Sequence, residues 1–259
     1  MNIPRIIVVC ETKIFIFELT TCTKIETIET FSNPKGLISI REEENNSLLA
    51  YPDSKRGFLR IKSSNNDIQD SQLINAHESS LACISFNREG TLICTASDKG
   101  TIIRVFTVQK GTLVRELRRG SGDAEIYSLS FSSDSKFLAC SSDRGTIHVF
   151  ILNVNIDDEN EETENTTTTK GNDMDDEPKN QKSFLSKISN FFGKTGGYFN
   201  SEWSFARISN INDSKTICSF RPGSQTLNII GSSGRYYHAV FNLKSGGNGT
   251  IAEDFKLGV

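Results

Sequence analysis

Two adjacent arginines followed by a glycine, Arg118-Arg119-Gly120 in the run "RELRRG", are the residues of this chain best suited to chemistry. A guanidinium is planar, permanently charged, and presents forked N–H donors that match a phosphate or carboxylate. The pair closes a strand-like run, and neighbours along a strand point to opposite sides. It therefore cannot easily serve one pocket, but it can serve two. Gly120 would let the backbone turn closely just beyond them. The plain alternative is a surface pair bonded to Glu116 or Asp123.

No other motif assembles a reaction centre. The three histidines are scattered, and there is neither a Gly-x-Ser-x-Gly elbow nor a phosphate-binding loop. The six cysteines (10, 22, 83, 94, 140, 218) show no Cys-x-x-Cys pair and no zinc spacing. "DMDDE" lacks the spacing and glycine of a calcium loop. The expectation is no catalytic residue, no metal and no cofactor. Most cysteines sit in apolar runs such as "LACISF" and "FLACSS", as reduced structural thiols of a cytoplasmic chain would.

Charge narrows the partners. The net value of -3 hides an acidic stretch, 157–177, with ten carboxylates and one lysine, so the remainder carries +6. A basic body with an acidic tether favours phosphate-rich partners. Aromatics do not interleave with Lys/Arg as base stacking requires, so no nucleic acid is expected. Apolar runs such as "IIVVC" are too short to span a bilayer, and with 36% hydrophobic residues and a mean hydropathy of -0.35 they suit a soluble fold.

The elements that position the arginines repeat. "ISFNREGTLICTASDKGTIIRVF" (84–106) matches "LSFSSDSKFLACSSDRGTIHVF" (129–150), with Phe86/Phe131, Ser97/Ser142, Gly100/Gly145 and Thr101/Thr146 all 45 apart. Strands split by Ser-Asp-x-Gly turns at that period are the signature of propeller blades. A third copy, "SFRPGSQTLNIIGSSGRYYHAVF", is offset by 89, and the 44 extra residues match a low-complexity segment after Leu152. Residues 36–61 and 5–30 read as a weaker blade and most of another. The fold class is therefore all-β, a WD-repeat-type β-propeller of about five blades. As one domain it divides into blades over 1–152, an insertion over 153–200, and further blades over 201–259.

The insertion has two halves. Residues 153–177 are polar, acidic and expected to be disordered. In "PKNQKSFLSKISNFFGKTGGYF", Phe184, Leu185, Ile188, Phe191 and Phe192 fall on one helical face, with Lys182, Lys187 and Lys194 around it. This predicts a short interfacial helix for membrane insertion; the alternative is a helix docked on the propeller.

"NPKGL", "AHESSLACISFNREGTLICTASDKGTIIRVF", "ELRRGSGDAEIYSLSFSSDSKFLACSSDRGTIHVF" and "SEWSFARI" closely resemble the PROPPIN family, phosphoinositide-binding WD-repeat propellers of autophagy, in the branch whose motif reads Leu-Arg-Arg-Gly. The family builds seven blades. The first two, and the inner strand of the next, have no counterpart here, which predicts an incomplete or gapped ring. The resemblance implies two headgroup sites on an exposed rim, one per arginine. It assigns His77, Ser97, Lys99 and Thr101 to the Arg118 site, and Ser142, Arg144, Thr146 and His148 to the Arg119 site. Two other readings stand beside it: His77 could be a structural histidine bonded to a turn aspartate such as Asp98, and His148 could be a core residue. Trp203 reads as packing where the chain re-enters the sheet.

The implied function is a membrane-recruited adaptor for phosphatidylinositol 3-phosphate or the 3,5-bisphosphate in autophagy and endosomal or vacuolar traffic. Its partners would be phosphoinositide-containing membranes and autophagy proteins of unknown identity. The rival is a WD-repeat interaction scaffold without lipid binding. Changing Phe191 and Phe192 to serine is expected to raise the off-rate from phosphoinositide vesicles without changing affinity for the soluble headgroup. Equal off-rates in a vesicle-release assay would favour the docked helix.

Overall fold

Apolar residues alternating at period two, between Gly-, Ser- and Asp-rich turns, become strands throughout the computed structural model, which describes residues 4–42, 47–63, 71–154, 178–182, 201–209, 211–224 and 226–258. Among these residues there is no helix. The five apolar residues read as an interfacial helix, Phe184, Leu185, Ile188, Phe191 and Phe192, lie outside the described residues.

The chain advances by meanders. β1 (Arg5–Val9), β2 (Lys13–Glu18) and β3 (Lys24–Glu29) make a three-stranded sheet. β4 (Ser39–Glu42), β5 (Ser47–Pro52), β6 (Phe58–Ser63) and β7 (Gln72–Asn75) make the next. β8 (Leu81–Phe86), β9 (Leu92–Ser97), β10 (Ile102–Thr107) and β11 (Leu113–Arg118) follow, and then β12 (Ile126–Phe131), β13 (Phe137–Ser142) and β14 (Ile147–Ile151). After the insertion come β15 (Gln181–Lys182), β16 (Glu202–Trp203), β17 (Ala206–Ile208), β18 (Thr216–Phe220), β19 (Leu227–Gly231), β20 (Arg235–Asn242) and β21 (Gly246–Lys256).

β17 pairs antiparallel with β14, with Ile208 opposite Ile147, so the insertion separates the third and fourth strands of one meander. β16 takes a different neighbour. It runs parallel to β11, with Trp203 opposite Arg118, and β15 pairs on its other side. Trp203 is thus a half-buried strand residue beside Arg118, one strand in from the edge of the arginine sheet. β17 also runs parallel to β21, which joins the last two meanders into one eight-stranded sheet.

The core lies between meanders. Ile14, Ile16, Leu49 and Tyr51 join the first two, and Ala50, Leu59, Ile74, Ile93 and Phe106 join the second and third. Cys94, Ile103, Leu117, Leu138, Cys140 and Phe150 join the third to β12–β14, and Phe137, Val149, Ile208, Phe220 and Leu227 carry the core on to β18–β21. Among the described residues, none of these clusters joins the first sheet to the last. Of the free thiols, Cys94, Cys140 and Cys218 are buried and Cys83 is half-buried, as their apolar runs predict, whereas Cys10 and Cys22 are exposed.

The two Ser-Asp-x-Gly turns beside the arginines are not equivalent. Gly100 (φ +58°) and Gly145 (φ +67°) both adopt the left-handed conformation, but a Cβ on Gly100 would lie 1.9 Å from the Ala124 carbonyl, whereas one on Gly145 meets nothing within 4 Å. Gly145→Ala should cost about 1–2 kcal/mol from backbone conformation alone. Gly100→Ala should cost clearly more, because the 122–125 loop must move. Denaturant unfolding of the two variants checks the order.

Candidate functional site

Strand register fixes where each arginine goes. Thr95, Arg104 and Glu116 lie opposite one another on β9, β10 and β11, and so share a face. Ser97 and Arg118, two residues further along their strands, share it too. The chain leaving β7 covers this face. His77 Nε2 lies 3.0 Å from Thr95 Oγ1, and the Arg104 guanidinium donates to the Ala76 carbonyl at 2.7 Å and to Glu116 Oε2 at 2.9 Å.

The opposite face carries Ala96, Ile103 and Leu117 and packs on β12–β14. Arg119 follows Leu117 by two and turns to that side; its backbone N–H extends the ladder to the Thr101 carbonyl at 2.9 Å. Facing it, Cys140, His148 and Arg207 lie opposite one another on β13, β14 and β17, with Ser142 and Thr146 two residues along. Adjacent arginines thus enter two sheet–sheet interfaces, on either side of one sheet, as the alternation requires.

The expected exposure is corrected. Arg118 is 4% exposed and Arg119 6% exposed. Arg118 Nε donates to Ser201 Oγ at 2.8 Å, and Arg119 Nε donates to the Gly100 carbonyl at 2.8 Å while its Nη2 donates to the Gly122 carbonyl. Burial, with Arg144 adding, pulls the Arg119 guanidinium below its usual pKa. Among the described residues neither forms the surface ion pair with Glu116 or Asp123, since Glu116 holds Arg104. Nor does any close approach require a glycine at 120: a Cβ there meets nothing within 4 Å.

The remaining residues divide. Ser97 and Ser142 are buried beside their arginines, and Thr101 and Thr146 are half-buried. Lys99 and Arg144 are exposed on the turns; Arg144 folds back onto the Asp123 carbonyl, with Asp143 at 3.8 Å. His77 takes Thr95 as its partner, not Asp98, which lies 3.9 Å from Arg56. Sequence reasoning missed Thr95, Arg104, Ser201, Ser204 and Arg207. Thr95 could have been found by the period of two along β9 from Ser97, whereas Arg104 and Arg207 follow from register, opposite Thr95 and His148.

Solved structures share this architecture. Kluyveromyces lactis Hsv2 superposes with a TM-score of 0.68 at 22% identity, over 99% of this chain and 72% of that one. A model of the PROPPIN family matches residues 1–257. The chain belongs to the PROPPIN family. Two relatives, each 31% identical, are the autophagy-related protein 18 of Schizosaccharomyces pombe, covering 100% of this chain and 75% of that protein, and that of Dictyostelium discoideum, covering 99% and 69%.

In this PROPPIN chain His77 and His148 are held neutral. Burial, reinforced by Arg104, lowers the His77 pKa to about 4; burial, reinforced by Arg207 and Arg119, does the same to His148. The unfolded chain takes up these protons near the ordinary value of 6.5 and the folded chain does not. Stability is therefore complete above pH 6.5 and is lost as pH falls toward 4, by on the order of 3 kcal/mol per histidine. Unfolding free energies across that range should show the decline, and His77→Gln should flatten it. An unchanged slope would contradict the burial account.

Proposed function

We propose that this chain is a membrane-recruited adaptor that binds phosphatidylinositol 3-phosphate, the 3,5-bisphosphate, or both, through the Arg118 and Arg119 clefts. It would act in autophagy and in endosomal or vacuolar traffic, as a cytoplasmic protein held peripherally on autophagic precursor, endosomal or vacuolar membranes. One observation carries the reading: two arginines adjacent in sequence enter separate clefts, each with a buried serine on the same interface, Ser97 for one and Ser142 for the other. Guanidinium and hydroxyl donors converging in a partly dry cleft are what a phosphate monoester needs. His77, Lys99 and Thr101 would complete the first site, and Arg144, Thr146 and His148 the second. Phe184, Leu185, Ile188, Phe191 and Phe192 would add apolar contact with the lipid.

The relatives' names support an autophagy role, and a further solved neighbour is titled as a complex of KlAtg21 with the coiled coil of AgAtg16. An autophagy protein is accordingly the proposed protein partner, and no nucleic acid is. The reading needs no catalysis.

One observation favours the scaffold reading: both arginines are buried and bonded within the protein. The two readings part in a flotation assay with phosphatidylcholine vesicles, with and without phosphatidylinositol 3-phosphate. The parent should float only with the phosphoinositide. Arg118→Ala or Arg119→Ala should weaken flotation about tenfold or more, and the double variant should abolish it, because two linked weak sites act together. Arg118→Lys with Arg119→Lys keeps the charge but not the fork, and serves if the alanine variants unfold. A folded double variant of either kind that floats like the parent would overturn the headgroup reading in favour of the scaffold.

A further inference from the structure

The run from Ser201 to Arg207 brings the chain from the insertion back into the sheet, and its side chains reach both clefts. Ser201 is 2% exposed and Ser204 1% exposed, so neither hydroxyl is spent on solvent. Ser201 Oγ accepts from Arg118 Nε at 2.8 Å, and a bond at Nε fixes the plane of the guanidinium fork. Three residues on, Ser204 Oγ lies 3.0 Å from Arg207 Nε and 3.2 Å from His148 Nδ1. Arg207 Nε can only donate, so the serine oxygen accepts there and its own proton is left available for His148 Nδ1.

We propose that Ser201 and Ser204 are positioning residues for the two headgroup clefts, Ser201 setting the Arg118 fork and Ser204 fixing the His148 tautomer. The inference rests on the headgroup reading above and adds how its donors are held. With Ser204 donating to Nδ1, the neutral imidazole carries its hydrogen on Nε2, and the ring keeps an N–H donor for an anion in the Arg119 cleft.

The same run is fastened at the foot of the insertion. Asn180, 9% exposed, accepts from the Ile151 N–H at 2.7 Å and donates to the Ile151 carbonyl at 2.6 Å and to Glu202 Oε2 at 2.7 Å. β16, between the two serines, lies against Leu117 and Arg118 of β11. The foot of the insertion is thus hydrogen-bonded to the run whose serines reach Arg118 and His148.

The test uses the full chain, with a soluble short-chain phosphatidylinositol 3-phosphate as probe in calorimetry. The parent should bind at two sites. Ser201→Ala should weaken one of them about tenfold and Ser204→Ala the other. Ser201→Thr, which keeps the hydroxyl, should restore binding. Nitrogen-15 shifts of His148 should report the Nε2–H form in the parent and a shift toward Nδ1–H in Ser204→Ala, a change that packing loss alone would not produce. A parent that binds no lipid would overturn the headgroup reading. A parent that binds, with both alanine variants equal to it, would overturn the positioning roles alone. His148 protonated at Nδ1 in the parent would do so for Ser204 without any variant.

Discussion

Everything at the candidate site depends on packing sheet against sheet. A four-stranded meander cannot bury itself, so each apolar face must be covered by the next meander, and every interior strand serves two interfaces at once. β11 shows the consequence. Leu117, fully buried, holds the interface with β12–β14, while Arg118 beside it belongs to the interface with the preceding sheet. At the end of that strand the apolar layer gives way to Arg118, Arg119, Ser97 and Ser142. Polarity emerges between sheets, not on an outer surface, and that is why the arginines are buried.

Burial also sets the chemistry. Each guanidinium is held by oxygens of its own chain, and each histidine is kept neutral by burial, reinforced by the positive groups around it. The surroundings of the arginines are positive without relying on histidine charge, and their donors are already ordered, which on the proposed headgroup reading would lower the ordering cost of binding.

The fold was largely legible in the sequence, because Phe86/Phe131, Ser97/Ser142 and Gly100/Gly145 mark the same turns at one spacing. The divergence of Arg118 and Arg119 was legible too, since it follows from period two alone. Their burial was not, because it depends on the neighbouring sheet. The equivalence of Arg104 and His148 was hidden by a single residue: "TIIRVF" has one more than "TIHVF", so a constant offset aligns His148 with Ile103. Register reveals it, with Arg104 opposite Thr95 and His148 opposite Cys140, which are themselves 45 apart. Ser201 and Ser204 were not legible because their partners, Arg118 and His148, lie 83 and 56 residues away and are met only through the packing of the sheets.

The parallel pairing of β17 with β21 bears on how the molecule comes apart. A stack of sheets that touch only through side chains behaves as a chain of nearest neighbours, each able to open with little effect on the next but one. Backbone hydrogen bonds between the last two meanders remove that independence. Residues 206–208 bond to 247–249, and the Phe205 carbonyl, against which a Cβ on Gly246 would fall at 2.2 Å, accepts the Gly247 N–H at 2.9 Å. The carboxyl-terminal third is therefore a single cooperative block. Proteolytic nicking between β20 and β21 would be felt as far back as β14, at the side of the Arg119 cleft, while the amino-terminal sheets remained free to fray one at a time.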